Sequence, residues 1–452
     1  MAEQPEKLGL WTSTSLVVGN MIGAGVFLVP AAMASFGSVG LLGWLFAAIG
    51  TFFIARVFSA LSKMVPGEAG GVYAYTRHGF GDFAAFLVGW GYYISVVTAN
   101  AAITVSFVGA MSAFIPALDS SNMHTFSPVI SVFTGLGAIW LLTWINTRGI
   151  TASGKVQLVT TILKLLPLTV VAVAGLFFIK AANFHPFNSS GTSVFEAITG
   201  AAAIAMFALV GIESATIPAE SVEHPEKTVS RATMIGLAVT GLVYLLGSVS
   251  IMGIIPVSRL AHSATPYADA AVIMFGSNAR YWAGAGAAIA AFGCLNGWIL
   301  IQGQVPFAIA QDKLFPGVFG RTNKKGSPYV GIVISSVLIS LFMMMNYTKG
   351  LVDQFKFLSL LATITTLVPY IFCAAAYIII RFTKREKYSG GWVAAVFIAV
   401  MAFAYSLWAI AGSGQSSVYW GFLLLLAGIP FYVWVLYKKR KNTEQPISGG
   451  ER

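Results

Sequence analysis

Two ionisable residues lie where the sequence has little use for charge. Lys164 stands in Leu158-Val-Thr-Thr-Ile-Leu-Lys-Leu-Leu-Pro-Leu, and Glu213 in Phe207-Ala-Leu-Val-Gly-Ile-Glu-Ser. A lysine at the centre of an apolar helix costs about 3 kcal/mol in a membrane, so it usually has work to do, as a fixed cation or as a proton carrier. The alternative is a snorkelling side chain, but Lys164 lies too deep in its run for that. A carboxylate beside a glycine can take up a proton, or it can receive the N–H groups of an interrupted helix. The run Gly19-Asn-Met-Ile-Gly-Ala-Gly-Val-Phe27 puts three glycines in one apolar stretch, and each costs about 1 kcal/mol against alanine in a helix. A helix broken there would offer free N–H groups to an anion and free carbonyls to a cation. A zwitterionic α-amino acid carries both charges. Alone, Gly19 and Gly23 could equally form a GxxxG packing face; the second break, at Gly211, favours a binding site. Asn100, in Val97-Thr-Ala-Asn-Ala-Ala, must hydrogen-bond to a partner helix or to a ligand.

These residues need elements that span a bilayer. The chain has 452 residues, 57% hydrophobic and 10% charged, with mean hydropathy +0.79. Soluble chains carry about 25% charged residues, so a soluble enzyme, a disordered scaffold and a secreted disulfide protein are excluded. Apolar runs at about 10–34, 38–62, 83–114, 127–146, 156–179, 194–217, 231–255, 281–309, 328–346, 357–381, 391–412 and 418–437 predict twelve transmembrane helices. The stretches 64–82 and 310–327 read as loops or short surface helices. The net charge of +11 comes from clusters at span ends and signals topology, not nucleic acid. Arg56, Lys63 and Arg77, then Lys313, Arg321, Lys324 and Lys325, then Arg381 to Lys387 and the Lys438–Lys441 tail fall on one side. Only Lys180, Arg259, Arg280, Lys349 and Lys356 fall on the other. Both termini are therefore expected in the cytoplasm, in a plasma or inner membrane. Glu3, Glu6 and Lys7, with the long run that follows, argue against a cleavable leader.

No catalytic motif is present. Gly284-Ala-Gly286 lacks the third glycine of a dinucleotide loop, and no phosphate-binding GxxxxGK[ST] occurs. The five histidines are scattered over loops, and Cys294 and Cys373 fall inside apolar runs as packing residues. Neither an enzyme, a metal site nor a cofactor is expected.

The motif at 19–27, Gly-Gly-Val-Tyr-Ala-Tyr (70–75), Gly-Ile-Glu-Ser (211–214), His-Pro-Glu-Lys-Thr-Val-Ser-Arg-Ala-Thr (224–233) and Gln-Asp-Lys-Leu-Phe-Pro (311–316) resemble the amino acid–polyamine–organocation superfamily. Gly297-Trp298 with Gln304, and Thr-Leu-Val-Pro-Tyr (366–370), are similar to its arginine/agmatine, lysine/cadaverine and putrescine/ornithine antiporters. The resemblance implies an all-α, LeuT-type fold of two inverted five-helix repeats, here 1–190 and 191–385, with two further helices and the tail in 386–452. It also implies that Gly23, Ala24 and Gly25 border the substrate carboxylate, Ala24 and Gly25 through N–H groups. The carbonyls of Met21, Phe207 and Val210 would receive the α-ammonium. Asn100, Trp298 and Thr363 would line the side-chain end, with Tyr92 and Phe207 as gating aromatics. Lys164 is placed against the first break, where sodium-coupled relatives hold a sodium ion, and with Glu213 it is a candidate for proton coupling. This chain departs from the arginine/agmatine branch at Phe207, where that branch has Trp, at Ala24, where it has Ser, and in having Lys164 at all.

A secondary amino acid transporter, by exchange of amino acids or of an amino acid for an amine, is the leading expectation. A proton-coupled importer using Lys164 is the runner-up, and a membrane amino-acid sensor is the alternative from another class. The expected partners are the substrate, the lipid bilayer, protons and a second copy of the chain.

Overall fold

Glycine breaks and apolar runs become a helical bundle in the computed structural model, which describes residues 7–23, 25–118, 127–263, 265–345, 351–384, 391–412 and 415–443. The first expected span is two helices, α1 (Leu10–Met21) and α2 (Gly25–Ala34). Then come α3 (Gly40–Met64), the short α4 (Val72–Phe80), α5 (Asp82–Met111), α6 (Pro128–Thr147) and α7 (Ile150–Ala174). The second half holds α8 (Val194–Leu209), α9 (Pro225–Ile254), the short α10 (Val257–Leu260) and α11 (Pro266–Phe275), and α12 (Ala279–Gln311). It closes with α13 (Tyr329–Met345), α14 (Leu351–Thr383), α15 (Trp392–Gly412), α16 (Gln415–Leu426) and α17 (Gly428–Thr443).

Nine helices among the described residues are long and apolar enough to cross a membrane. The three expected spans missing from that set have a reason. Two are the spans with glycine breaks, each too short in one piece, and the third is α13, with 17 described residues. The connections give an independent check on the count, because segments that meet must lie on one side of the bilayer. Leu8, ahead of the first span, pairs with Ser221 and Glu223 after the sixth, and Arg77 after the second meets Asp312 after the eighth. On the other side, Val39 after the first span donates to Phe187 after the fifth, and Lys180 after the fifth donates to Gly253 at the far end of the seventh. Every such pair is separated by an even number of crossings.

The core runs through α1, α5, α12 and α14, whereas α6, α7 and α15 turn large apolar side chains outward, including Phe133, Leu166 and Val393. Val393 is 82% exposed and Phe177, just beyond α7, 87%. Faces of this kind require lipid. The chain is a multi-pass integral membrane protein.

Candidate substrate site between two broken helices

Helix α1 stops at Met21, where Ile22 N–H still reaches Val18 but Gly23 N–H folds back onto Met21. A helix end leaves its last four carbonyls without helical partners, a condition that hydrocarbon does not tolerate. Side chains from three other helices answer all four. Lys164 Nζ, from α7, donates to the carbonyls of Gly19 (2.6 Å) and Ile22 (2.5 Å). Trp298 Nε1 and Cys294 Sγ, one turn apart on α12, approach the Asn20 carbonyl at 3.4 Å each. Tyr244 OH, from α9, donates to the Met21 carbonyl at 2.7 Å. Lys164 is fully buried, so it does not snorkel: its amine sits at the negative end of a helix dipole. Gln157 and Thr161, on the same face of α7, both donate to the Ser15 carbonyl one turn earlier.

The second break meets the first. Helix α8 ends at Leu209, and Gly211 turns the chain with φ +108°, a region closed to other residues. A Cβ there would also lie 3.2 Å from the Asn20 backbone. The chain then winds through two single 3₁₀ turns, Ser214–Thr216 and Ala219–Ser221. Asn20 Nδ2 donates to Ser214 Oγ at 2.9 Å, joining the two breaks directly. Glu213 is fully buried, and its carboxylate accepts from Tyr92 OH of α5 (2.6 Å) and from Tyr370 OH of α14. One carboxylate thus holds the sixth span to α5 and α14.

The expected residues fall around this junction unevenly. Met21 carries the carbonyl that Tyr244 occupies. Gly23 packs so closely that a Cβ would lie 2.7 Å from Cys294 Sγ. Gly25 opens α2, where the first N–H groups of a helix are free; Ala24 lies outside the described residues. Phe207 is in the last turn of α8, its side chain outside the description, and Val210 is half-buried beside Gly211. Asn100 donates from Nδ2 to Gln302 Oε1 at 2.7 Å, one turn beyond Trp298 on α12, while its own Oδ1 is buried without a partner. Asn100 thus meets a partner helix through its nitrogen, the first of the two roles expected for it. Thr363 is buried on α14. Tyr92 is occupied by Glu213.

Asn20, Ser214, Tyr244 and Tyr370 carry no expectation of their own from the sequence. Asn20, Ser214 and Tyr370 stand inside quoted motifs without a role. A further signal was available: polar side chains within apolar helices, such as Gln157 and Asn296, carry the same obligation as Asn100.

The profile of the family described as amino acid permease matches residues 8–436. A putative arginine/ornithine antiporter of Bacillus subtilis is 30% identical over 98% of this chain and 100% of its own length. A putrescine transporter of Haemophilus influenzae is 28% identical over 97% of this chain and 99% of its own. A cadaverine/lysine antiporter of Escherichia coli is 28% identical, covering 97% of each. With two broken spans joined by Asn20 and Ser214, and with a match along nearly its whole length, the chain belongs to the amino acid permease family of the amino acid–polyamine–organocation superfamily.

Proposed function

We propose that this secondary active amino acid transporter works by exchange, taking an amino acid, or an amino acid against an amine, at a midplane site between its broken first and sixth spans. The contact of the two breaks through Asn20 and Ser214 carries this reading, because it brings both sets of helix ends to one place. The N–H groups at the start of α2, from Ala24 and Gly25, receive the carboxylate. The carbonyls of Phe207 and Val210 receive the ammonium group, together with that of Met21 once Tyr244 gives way. Trp298, Asn100 Oδ1 and Thr363 face the side chain, and Tyr92 and Phe207 gate it. Residues 1–190 and 191–385 act as two inverted repeats, with 386–452 outside them. The Lys/Arg asymmetry supports cytoplasmic termini in a plasma or inner membrane.

A second reading has its own observation. Lys164 bonded to the carbonyls of the first break ties the charge on α7 to the shape of α1, which supports proton-coupled import. Vesicles loaded with one amino acid and offered labelled arginine, ornithine, lysine, putrescine, cadaverine or a neutral amino acid separate the two. Exchange predicts uptake only with internal substrate. Uptake driven by a pH gradient into empty vesicles points to the importer, and binding without uptake points to a sensor.

A further inference from the structure

Three amide side chains from three helices meet at the inner side of the first break. Asn296 of α12 donates from Nδ2 to the Ser153 carbonyl and to Gln157 Oε1, both of α7, at 3.0 Å each. Its Oδ1 accepts from Asn146 Nδ2 of α6 at 3.1 Å, and the Ser153 hydroxyl approaches the same oxygen at 3.5 Å. All three amides are buried. Gln157 continues the chain to the Ser15 carbonyl on α1. The neighbouring Gly297 is required by the same arrangement: a Cβ there would lie 1.9 Å from Asn20 Oδ1 and 3.0 Å from Gln157 Oε1. Toward the connection between α12 and α13, Ser327 Oγ donates to the Asn146 carbonyl at 2.9 Å and Asn323 Nδ2 to the Thr147 carbonyl at 2.6 Å. A continuous run of contacts therefore leads from the connection between α12 and α13 to the junction of the two broken spans.

We propose that Asn296 is a positioning residue for transport: it clasps α6 and α7 to α12 and so fixes Trp298 and the Lys164 face of α7 on the end of α1. Two arguments support a clasp over its rivals. An amide N–H passes on no proton without changing tautomer, so Asn146, Asn296 and Gln157 hold helices together and do not conduct. Nor does a buried polar cluster earn its place by stability alone, because apolar residues of the same shape do as well. What the amides add is register: only one sliding position of α7 along α12 satisfies Ser153, Gln157 and Asn146 together. Trp298 lies two residues beyond Asn296, and Lys164 lies two turns beyond Gln157 on the same face. The clasp thus sets two of the four groups that cap the first break.

The proposal rests on the transport reading for one of its two tests and is independent of it in the other. Asn296→Leu keeps the volume and removes the bonds. Counted per folded transporter in vesicles, it should raise KM for exchange about tenfold or more, with a smaller change in the maximal rate, as expected when a site is loosened. In a Cys373→Ser background, Cys294 is the single thiol, packed against Asn20 and Gly23. Asn296→Leu should raise its labelling rate by a membrane-permeant maleimide by at least about tenfold, as the break loosens against α12. Ser406→Ala, a buried hydroxyl that bonds only within α15, should move neither value. If Asn296→Leu does not fold, Asn146→Leu removes one bond of the clasp and takes the same two tests. A KM within twofold of wild type, or an unchanged labelling rate, overturns the proposal. If the wild type exchanges no substrate, the transport reading fails by itself and the labelling rate alone decides the clasp.

Discussion

At the scale of single residues, the site is a solved accounting problem. Four carbonyls lose their helical partners at the end of α1, and Lys164, Trp298, Cys294 and Tyr244 meet them. Tyr244 is the informative one, because it occupies the Met21 carbonyl that a substrate ammonium would need. Tyr244→Phe should leave that carbonyl with only the Gly23 N–H, lowering the stability of the empty protein by about 1–3 kcal/mol. If Met21 faces the substrate, bound amino acid replaces the lost donor, and the gain in melting temperature on adding substrate becomes larger than in wild type. An equal gain in both proteins places the Met21 carbonyl away from the ligand. Much of this lay within reach of the sequence. Lys164 and Glu213 announce themselves as charges in apolar runs, but Tyr244 and Tyr370 look like any other buried aromatics until the chain is folded. A tyrosine hydroxyl becomes informative only when its acceptor is known, and these acceptors lie more than 150 residues away.

At the scale of elements, the breaks were legible because glycine has a physical cost in a helix, and two such costs in matching places are hard to explain otherwise. The ends of the helices follow: α1 stops at Met21 and α8 at Leu209, within the glycine-marked runs. What the sequence did not disclose is that the breaks touch, since Asn20 and Ser214 gain meaning only from the crossing of α1 with the sixth span. Gly211 is the element-scale hinge of that crossing. Gly211→Ala must hold a side chain at φ +108° with its Cβ 3.2 Å from Asn20, a strain of about 2 kcal/mol or more. Gly137, in the middle of α6 with open space around its missing Cβ, provides the contrast. Gly137→Ala should be neutral or stabilising by up to about 1 kcal/mol. Melting curves and exchange rates of the two variants side by side check both. A Gly211→Ala protein with wild-type melting and exchange contradicts the turn described here.

At the scale of the whole molecule, the surface divides the protein into a lipid-facing shell, a polar inner path and charged connections. Arg77 is held between Asp82 at 2.8 Å and Asp312 at 2.5 Å, with Tyr73 OH on the second carboxylate oxygen of Asp312 at 2.8 Å. This cluster ties the connection before α5 to the end of α12 on the Lys/Arg-rich side. Its side chains are partly exposed, so each ion pair adds at most about 1 kcal/mol, and the cluster orders loops more than it stabilises the fold. Lys164 and Glu213 are buried ionisable groups. If Lys164 gains and loses a proton in each cycle, its charged form grips the Gly19 and Ile22 carbonyls and its neutral form releases them. The titratable groups that cap the same helix end from neighbouring helices are Cys294 of α12 and Tyr244 of α9. The protonated state is the one populated at lower pH, so proton coupling requires transport to fall as pH rises past the point at which Lys164 releases its proton. Lys164→Ala then holds transport at one level across the range, because alanine has no second state. Exchange measured in vesicles buffered equally on both sides, from about pH 5 to pH 9, gives the slope without a gradient to confuse it. A wild-type slope retained in Lys164→Ala moves the proton to Glu213, where the Tyr92 and Tyr370 hydroxyls would have to reorganise when the carboxylate is neutralised. A flat wild-type profile makes Lys164 a permanent cation at the end of the broken helix, with substrate exchange alone driving the cycle.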